Sequence, residues 1–258
     1  MLRAENISFR VDRKTLLHAS SLSFEEGKFH VIMGANGAGK STLMKLLAGS
    51  QPCSTGTVFL NEKSLGQYNR EELARERAVL SQHYNISFPI SAHDIVMMGR
   101  YPFFNNKPRE TDRSICEHAI RLVKMEAFAE RDFNTLSGGE SQKIQMCRVL
   151  AQIWDANAEN PKLLFLDEPV SHLDIKYQHQ LLRVAKESCE KHVTVIAILH
   201  DINLALHYAD RILFMKEGQL KYETHQPAQV SPEIIKDIFD VNARILHPGG
   251  DDRPVVVF

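Results

Sequence analysis

Residues 34–42 read GANGAGKST, between an apolar run that ends at Met33 and a helical run that begins at Leu43. The stretch is a complete G-x-x-x-x-G-K-[ST] match. Its glycines let the backbone curl so that N–H groups face phosphate oxygens, while the lysine reaches the β- and γ-phosphates and the serine hydroxyl can bind Mg²⁺. A chance match in a chain of this length is roughly a 1% event. We therefore predict a phosphate-binding loop made of Gly34, Ala35, Asn36, Gly37, Ala38, Gly39, Lys40, Ser41 and Thr42.

Strand-like and helix-like patterns alternate on both sides of this loop. Three strand-like runs lie within residues 2–33, and nearly continuous apolar runs recur at 162–167 and 192–199, with helical 175–190 between them. Such apolar runs are typical of strands buried on both faces of a parallel sheet. The predicted fold class is α/β, a phosphate-loop ATPase core with a mainly parallel sheet, an N-terminal antiparallel β part and an inserted helical subdomain.

The pattern changes between residues 83 and 158, where helix-like segments dominate and prolines mark the turns. We expect a single domain over residues 1–258. Within it, 1–82 and 159–258 form the catalytic α/β core, and 83–158 form the helical subdomain.

Composition excludes several classes of protein. The chain has 258 residues, is 43% hydrophobic and carries a formal net charge of -1, which argues against nucleic acid as a partner. Its four cysteines are far apart and form no CxxC pair, so a reduced cytosolic protein is expected. No window reaches 18 uninterrupted apolar residues, so a partner would have to supply any membrane span.

Two further stretches carry chemistry. Residues 136–140 read LSGGE directly before a helical run, and glycines at a helix start aim backbone N–H groups at an anion. Residues 163–169 read LLFLDEP, an apolar strand that ends in two carboxylates. Asp167 can hold Mg²⁺, and Glu168 can orient and polarise an attacking water. A strand end followed by a turn acid is common, so it is the pairing with the phosphate loop that favours the catalytic interpretation.

The phosphate loop, LSGGE, LLFLDEP, residues 171–174 and His200 occur in the order that is typical of ATP-binding-cassette ATPases. The resemblance covers essentially the whole chain, and LSGGE is its most specific element. It implies that two cassettes pack head to tail, so that the LSGGE of one closes over the ATP held by the other. A homodimer with two composite sites follows, in which Ser137, Gly138 and Gly139 contact ATP in trans.

The resemblance also implies individual roles. Gln82 resembles the glutamine that senses Mg²⁺ and the attacking water, Asp174 the aspartate that links the two sites, and His200 the histidine that contacts the γ-phosphate. An ordinary loop glutamine and a locally bonded histidine are the alternatives. The family often stacks adenine on an aromatic where this chain has Val11, with Phe9 two residues earlier, which predicts loose nucleotide selectivity. The implied catalytic residues are Glu168, His200 and Gln82, the implied ATP contacts include Asp174, and the implied Mg²⁺ ligands are Ser41, Gln82 and Asp167.

Two segments resemble importer ATPases in particular. Residues 92–102, AHDIVMMGRYP, resemble the segment with a Gly-Arg-x-Pro pattern in ATPases that serve iron-chelate, haem and cobalamin importers. Locally, the same stretch reads as an amphipathic helix that ends at Gly99 before a proline turn. The link 153–162 is longer than in most relatives and resembles haem-importer ATPases.

The expected function is therefore the ATP-hydrolysing subunit of a membrane importer that energises haem uptake. Iron-siderophore or cobalamin import is the alternative within this class, and a soluble non-transport ATPase switch is the alternative outside it. The expected partners are a second copy of the chain, two transmembrane permease subunits and, through them, a periplasmic or extracellular substrate-binding protein. The expected location is peripheral, on the cytoplasmic face of the inner membrane.

Five aromatic residues cluster within about twenty positions after Gln82. Aromatic side chains are enriched at the centres of protein interfaces. We expect some of them to form the core of the helical segment and others to line a groove for a short permease helix. They are Tyr84, Phe88, Tyr101, Phe103 and Phe104.

Overall fold

The computed structural model describes residues 1–81, 86–171, 173–247 and 253–258. Its strands are β1 (Leu2–Val11), β2 (Lys14–Phe24), β3 (Phe29–Gly34), β4 (Thr55–Leu60), β5 (Lys63–Ser64), β6 (Arg77–Leu80), β7 (Lys162–Asp167), β8 (Val193–Ile198), β9 (Arg211–Lys216), β10 (Gln219–Thr224), β11 (Arg244–Leu246) and β12 (Val255–Val257).

The α-helices are α1 (Lys40–Leu47), α2 (Arg70–Glu76), α3 (Ala92–Met97), α4 (Glu110–Leu122), α5 (Gly138–Gln152), α6 (Ile175–Cys189), α7 (Ile202–Tyr208) and α8 (Pro232–Phe239). Short 3₁₀ helices span Leu65–Gln67, Met98–Phe103, Glu126–Phe128, Phe133–Thr135 and Pro227–Gln229. No helix in the described part of the chain is long and apolar enough to cross a bilayer.

The predicted elements are present at the predicted places. β7 has the predicted bounds, β8 is one residue shorter at each end, and α6 lies between them. Residues 86–158 contain helices, turns and isolated bridges but no named strand. The α/β fold class is confirmed, since parallel strands form the sheet around β3 and antiparallel strands form the N-terminal part.

The chain divides into two compact units, residues 1–68 with 194–258 and residues 69–193. These bounds differ from the predicted ones. The second unit holds β6, β7 and α6 together with the helices of segment 83–158. A separate helical subdomain over 83–158 therefore stays a prediction.

The first unit holds three sets of strands, of which the smallest is the antiparallel pair of β11 and β12. In the antiparallel sheet the strand order is β2-β1-β4-β5. β3 lies between β8 and β9 and is parallel to both, while β10 runs antiparallel to β9. All six residues of β3 are buried. An apolar strand with a partner on each side holds its last residue firmly, and that residue is the first glycine of the phosphate loop.

The second unit is organised around α5. α3, α4 and the 3₁₀ segment Met98–Phe103 all contact this helix. Its apolar face is fully buried, with Ile144, Met146, Cys147 and Val149 all at 0% exposure. β6 and β7 pair in parallel in the same unit, with Leu80 opposite Leu166.

The Gly-Arg pair of the Gly-Arg-x-Pro pattern has an internal role. Gly99 packs so closely on α5 that an added Cβ would lie 2.2 Å from the Arg148 carbonyl oxygen. The Arg100 guanidinium, with only 4% of the residue exposed, binds Asp112 at 3.0 Å, Asp155 at 2.8 Å and the Ala151 carbonyl oxygen at 2.9 Å. The pair therefore ties three segments of the second unit together.

Gly99→Ala should destabilise the protein by about 1–3 kcal/mol, because the added methyl meets backbone atoms that cannot turn aside. Thermal unfolding measures this as a fall in Tm of several degrees. Gly66→Ala is the control, since the nearest atom to its Cβ would be the Ser64 hydroxyl oxygen at an ordinary 3.7 Å. Equal Tm values for the two variants would contradict the close approach at Gly99.

Candidate functional site

The phosphate loop leaves no room for side chains at two of its glycines. A Cβ at Gly34 would lie 2.3 Å from the Met215 carbonyl oxygen, and a Cβ at Gly39 would lie 2.8 Å from the Leu16 carbonyl oxygen. Gly39 also has a φ of +96°, which side chains disfavour. The loop is therefore bare backbone at these positions, as close approach to a phosphate chain requires.

The turn between β9 and β10 braces the loop. The Gly218 N–H donates to the Ala38 carbonyl oxygen at 3.0 Å, and the Gly218 carbonyl oxygen accepts from the His18 N–H at 2.8 Å. Nothing in the sequence indicated this contact. Glu217-Gly218 between two apolar runs could have predicted a hairpin turn, but not the loop that the turn supports.

Lys40 and the start of α1 fit a bound polyphosphate. Lys40 is 6% exposed, and its ammonium group donates to the carbonyl oxygens of Gly34 at 2.8 Å and Ala35 at 3.0 Å, so it lies over the loop. α1 has no side-chain cap, because its N-cap residue is Gly39. An uncapped helix N-terminus with a lysine beside it favours anion binding.

His200 lies at the same edge of the first unit's parallel strands as the loop. Ile198 of β8 pairs with Ile32 of β3, so His200 and Gly34 each follow two residues later. His200 is exposed, and Asp201 after it caps α7 by accepting from two backbone N–H groups. Ligands of open α/β sheets bind at this carboxyl edge, which agrees with the predicted contact of His200.

The two carboxylates follow β7 in the second unit. Asp167 is the last residue of β7 and is 9% exposed. Glu168 is half-buried and has a φ of +53°, a left-handed conformation that is uncommon for glutamate. Gln82 was predicted to follow β6, the parallel neighbour of β7, but it lies outside the described residues.

The LSGGE segment forms an exposed helix start. Ser137 caps α5 by accepting from the Glu140 N–H at 3.3 Å, and its own N–H and hydroxyl donate to the Glu140 carboxylate at 2.8 Å each. These bonds, the backbone one first, lower the pKa of the Glu140 carboxyl. Ser137 and Gly138 are exposed and Gly139 is half-buried. The N–H groups of Ser137 and Glu140 are therefore bonded within the cap, while Gly138 between them lies at the surface.

Asp174 is also a helix cap. It is exposed and accepts from the Tyr177 N–H at 3.0 Å at the start of α6. The Lys143 ammonium lies 3.0 Å from the centre of the Tyr177 ring, so α5 is tied to the helix that Asp174 caps. Burial lowers the pKa of Lys143, and the carboxylates of Asp174 and Glu140 oppose that shift. The sequence singled out neither Lys143 nor its neighbour Gln142, whose amide donates to the Glu168 backbone.

The structure separates the aromatic residues by exposure. Phe88 and Tyr101 are 54% and 55% exposed. Phe103 is half-buried under the Arg100 guanidinium, 3.9 Å from its ring centre, and Phe104 packs edge-on against Tyr101. Tyr84 lies outside the described residues. At the proposed adenine position Val11 is 47% exposed and Phe9 is half-buried.

Gly39→Ala should weaken ATP binding more than Gly37→Ala does. Both positions have positive φ, which costs alanine about 1–2 kcal/mol, but only the Cβ at 39 meets a backbone atom, while nothing lies within 4 Å of one at 37. Titration of each variant with ATP should give a loss of affinity of about tenfold or more at 39 and a smaller loss at 37. The reverse order would contradict the geometry of the loop.

Comparison with known proteins identifies the family of this chain. The ABC transporter family matches residues 17–171. The chain is 42% identical over 245 residues to the Hemin import ATP-binding protein HmuV of Rhodopseudomonas palustris (strain BisB5), covering 95% of this chain and 92% of the relative. A solved structure described as an inward-facing metal-chelate type ABC transporter matches with a TM-score of 0.81 at 25% identity, covering 99% of this chain and 96% of the other. A dimeric bacterial ABC transporter cassette matches with a TM-score of 0.75 at 25% identity, covering 87% and 98%. With its phosphate loop, LSGGE helix start and paired carboxylates, this chain belongs to the ABC transporter family.

Proposed function

We propose that this chain is the ATP-hydrolysing subunit of a membrane importer that takes up hemin. The observation that carries the hydrolytic role is the buried Asp167 at the end of β7, followed by Glu168 in a left-handed turn. Support for hemin comes from the relative named for hemin import, which this chain matches over more than nine-tenths of both lengths. The resemblance to a metal-chelate type transporter supports the wider class. Import of iron-siderophore or cobalamin is the alternative within that class.

ATP and Mg²⁺ are held by different groups. Residues 34–42 would bind the phosphates through backbone N–H groups and Lys40, and the oxygens of Ser41, Asp167 and Gln82 would hold Mg²⁺. When bound there, the cation would neutralise charge on the transferred phosphoryl group. Glu168 polarises the attacking water, and His200 donates to the γ-phosphate.

Two copies of the chain form the working assembly. The exposed start of α5 supports this, because Ser137 and Gly138 lie at the surface, where a phosphate held by a partner chain would meet the helix N-terminus. The dimeric cassette of the same fold gives further support. The Ser137 hydroxyl binds Glu140 in the single chain, so it exchanges this partner for the γ-phosphate when the dimer closes. The exposed Asp174 links the two sites.

The assembly docks on two transmembrane permease subunits at the cytoplasmic face of the inner membrane, and a periplasmic or extracellular protein delivers the substrate to them. The two strongly exposed aromatic residues, Phe88 and Tyr101, are the best contacts for a permease helix. Phe103 is less suitable because it packs under Arg100.

In membrane vesicles that contain the assembled transporter and its binding protein, hemin should stimulate ATP hydrolysis, and ferric siderophore or cobalamin should not.

Glu168→Gln is the control variant. It keeps the shape of the site but loses the charge that polarises water, so turnover should fall roughly 10²-fold while ATP binding persists and closed dimers accumulate. Stimulation by another cargo would redirect the transport assignment. A chain that never fractionates with membranes beside its permease would instead favour a soluble switch.

Tyr101→Ala should weaken permease binding and abolish substrate-stimulated hydrolysis, while basal hydrolysis by the purified chain stays unchanged. Tyr222→Ala, at another exposed tyrosine, is the matched control. Both variants are compared with the parent as the purified chain and in the assembled transporter. If Tyr101→Ala lost the same fraction of hydrolysis in both states, Tyr101 would be part of the core rather than a docking residue.

A further inference from the structure

We infer that Gln142 is a positioning residue for hydrolysis, because its side-chain amide holds the backbone turn from which the Glu168 carboxylate projects. The inference rests on the proposed role of Glu168 in ATP hydrolysis. Both residues lie in the second unit, Gln142 on the first turns of α5 and Glu168 directly after β7.

The contact runs from side chain to backbone. The Gln142 Nε2 donates to the Glu168 carbonyl oxygen at 3.2 Å, across 26 positions of sequence. The same oxygen accepts from the Ser171 hydroxyl at 3.3 Å and lies 3.5 Å from the Ser171 N–H. The two Ser171 bonds come from within the turn. The Gln142 bond ties this oxygen to α5.

The turn needs such support. Glu168 has a φ of +53°, and a residue with a Cβ adopts this conformation only where its surroundings hold it there. The peptide orientation at a residue sets the direction in which its side chain leaves the backbone. A catalytic carboxylate must be held within a fraction of an ångström of the position in which it reacts. Loss of the hydrogen bond that holds this turn should therefore lower the rate of ATP hydrolysis.

The oxygen atom of the Gln142 amide indicates that this residue does not serve the stability of the fold. Gln142 is 8% exposed, and its buried Oε1 has no hydrogen-bond partner among the described residues. A buried acceptor without a partner destabilises the fold. An apolar side chain of the same length would avoid that penalty, and the Glu168 carbonyl oxygen would keep its bonds to Ser171. For stability alone, methionine would serve at least as well as glutamine.

The decisive variant is therefore Gln142→Met, which keeps the length and removes the donor. Its Tm should equal or exceed that of the parent, its KM for ATP should stay within about twofold, and its kcat should fall about tenfold or more. A purely structural residue would give the opposite result, a lower Tm with kcat unchanged.

Gln152→Met is the matched control on the same helix. The Gln152 amide also donates to backbone carbonyl oxygens, those of Ala74 at 2.7 Å and Arg77 at 3.0 Å, and ten residues of helix place it about 15 Å along the axis from Gln142. This variant should lower Tm and leave kcat within about twofold of the parent.

Gln142→Glu adds a pH test. A carboxyl donates a hydrogen bond only when protonated, and burial beside a carbonyl oxygen raises its pKa. The kcat of this variant, as a fraction of the parent's at each pH, should therefore rise as the pH is lowered from about 8 to about 6, while the same ratio for Gln142→Met stays flat.

The outcomes separate the inference from the proposed function. Parent-like kcat in Gln142→Met, while Glu168→Gln is inactive, overturns the inference alone. A loss of kcat matched by an equal rise in KM, or an equal loss in Gln152→Met, also overturns it. Parent-like turnover in Glu168→Gln would remove Glu168 from hydrolysis and overturn both.

Discussion

The close approach of backbone to backbone around the phosphate loop is the constraint on which the first unit depends. At Gly34 and Gly39 the carbonyl oxygens of Met215 and Leu16 occupy the space that a side chain would need. These two carbonyls come from β9 and β2, so a strand of each sheet contributes to the walls of the loop. The turn at Gly218 then fixes the outer side of the loop through Ala38. Bare backbone N–H groups and a buried lysine are thus held in place before any phosphate arrives, which lowers the entropy lost on binding.

α5 has the corresponding role in the second unit. The exposed residue Ser137 lies at its start. Side chains on its second turn contact the Glu168 turn and the Tyr177 ring. Near its end, the Ala151 carbonyl oxygen accepts a hydrogen bond from Arg100. Polar side chains at buried positions of a helix usually need a specific partner. Gln142 donates to the Glu168 carbonyl oxygen, and Lys143 lies over the Tyr177 ring. Gln145 accepts a hydrogen bond from Arg148. One rigid helix therefore joins the surface proposed for the partner chain to the Glu168 turn proposed for catalysis.

The importer-like segment shows how a family signal and a physical role can differ. Gly-Arg-x-Pro favoured an importer, yet Gly99 and Arg100 are buried and act within the second unit. Tyr101, which follows this pair and precedes the proline, is exposed. Arg100 also reaches Asp155 in the link 153–162, so the two importer-like segments are joined by an ion pair at 2.8 Å. The pattern thus builds the support from which the exposed Tyr101 side chain is presented.

The sequence by itself determined the elements and singled out the candidate site residues, because both depend on short-range patterns. An apolar run predicts β3 or β7, glycine spacing predicts the phosphate loop, and two glycines before a helical run predict the start of α5. Tertiary structure alone decided that Gly218 contacts Ala38 and that Arg100 is buried. It also decided that Glu168 has a left-handed backbone conformation and that Gln142 donates to its carbonyl oxygen. Each of these depends on the register in which elements distant along the chain pack together. No local periodicity encodes that register, because the same apolar faces could pack with a shift of one turn and leave every hydrogen bond with a different partner.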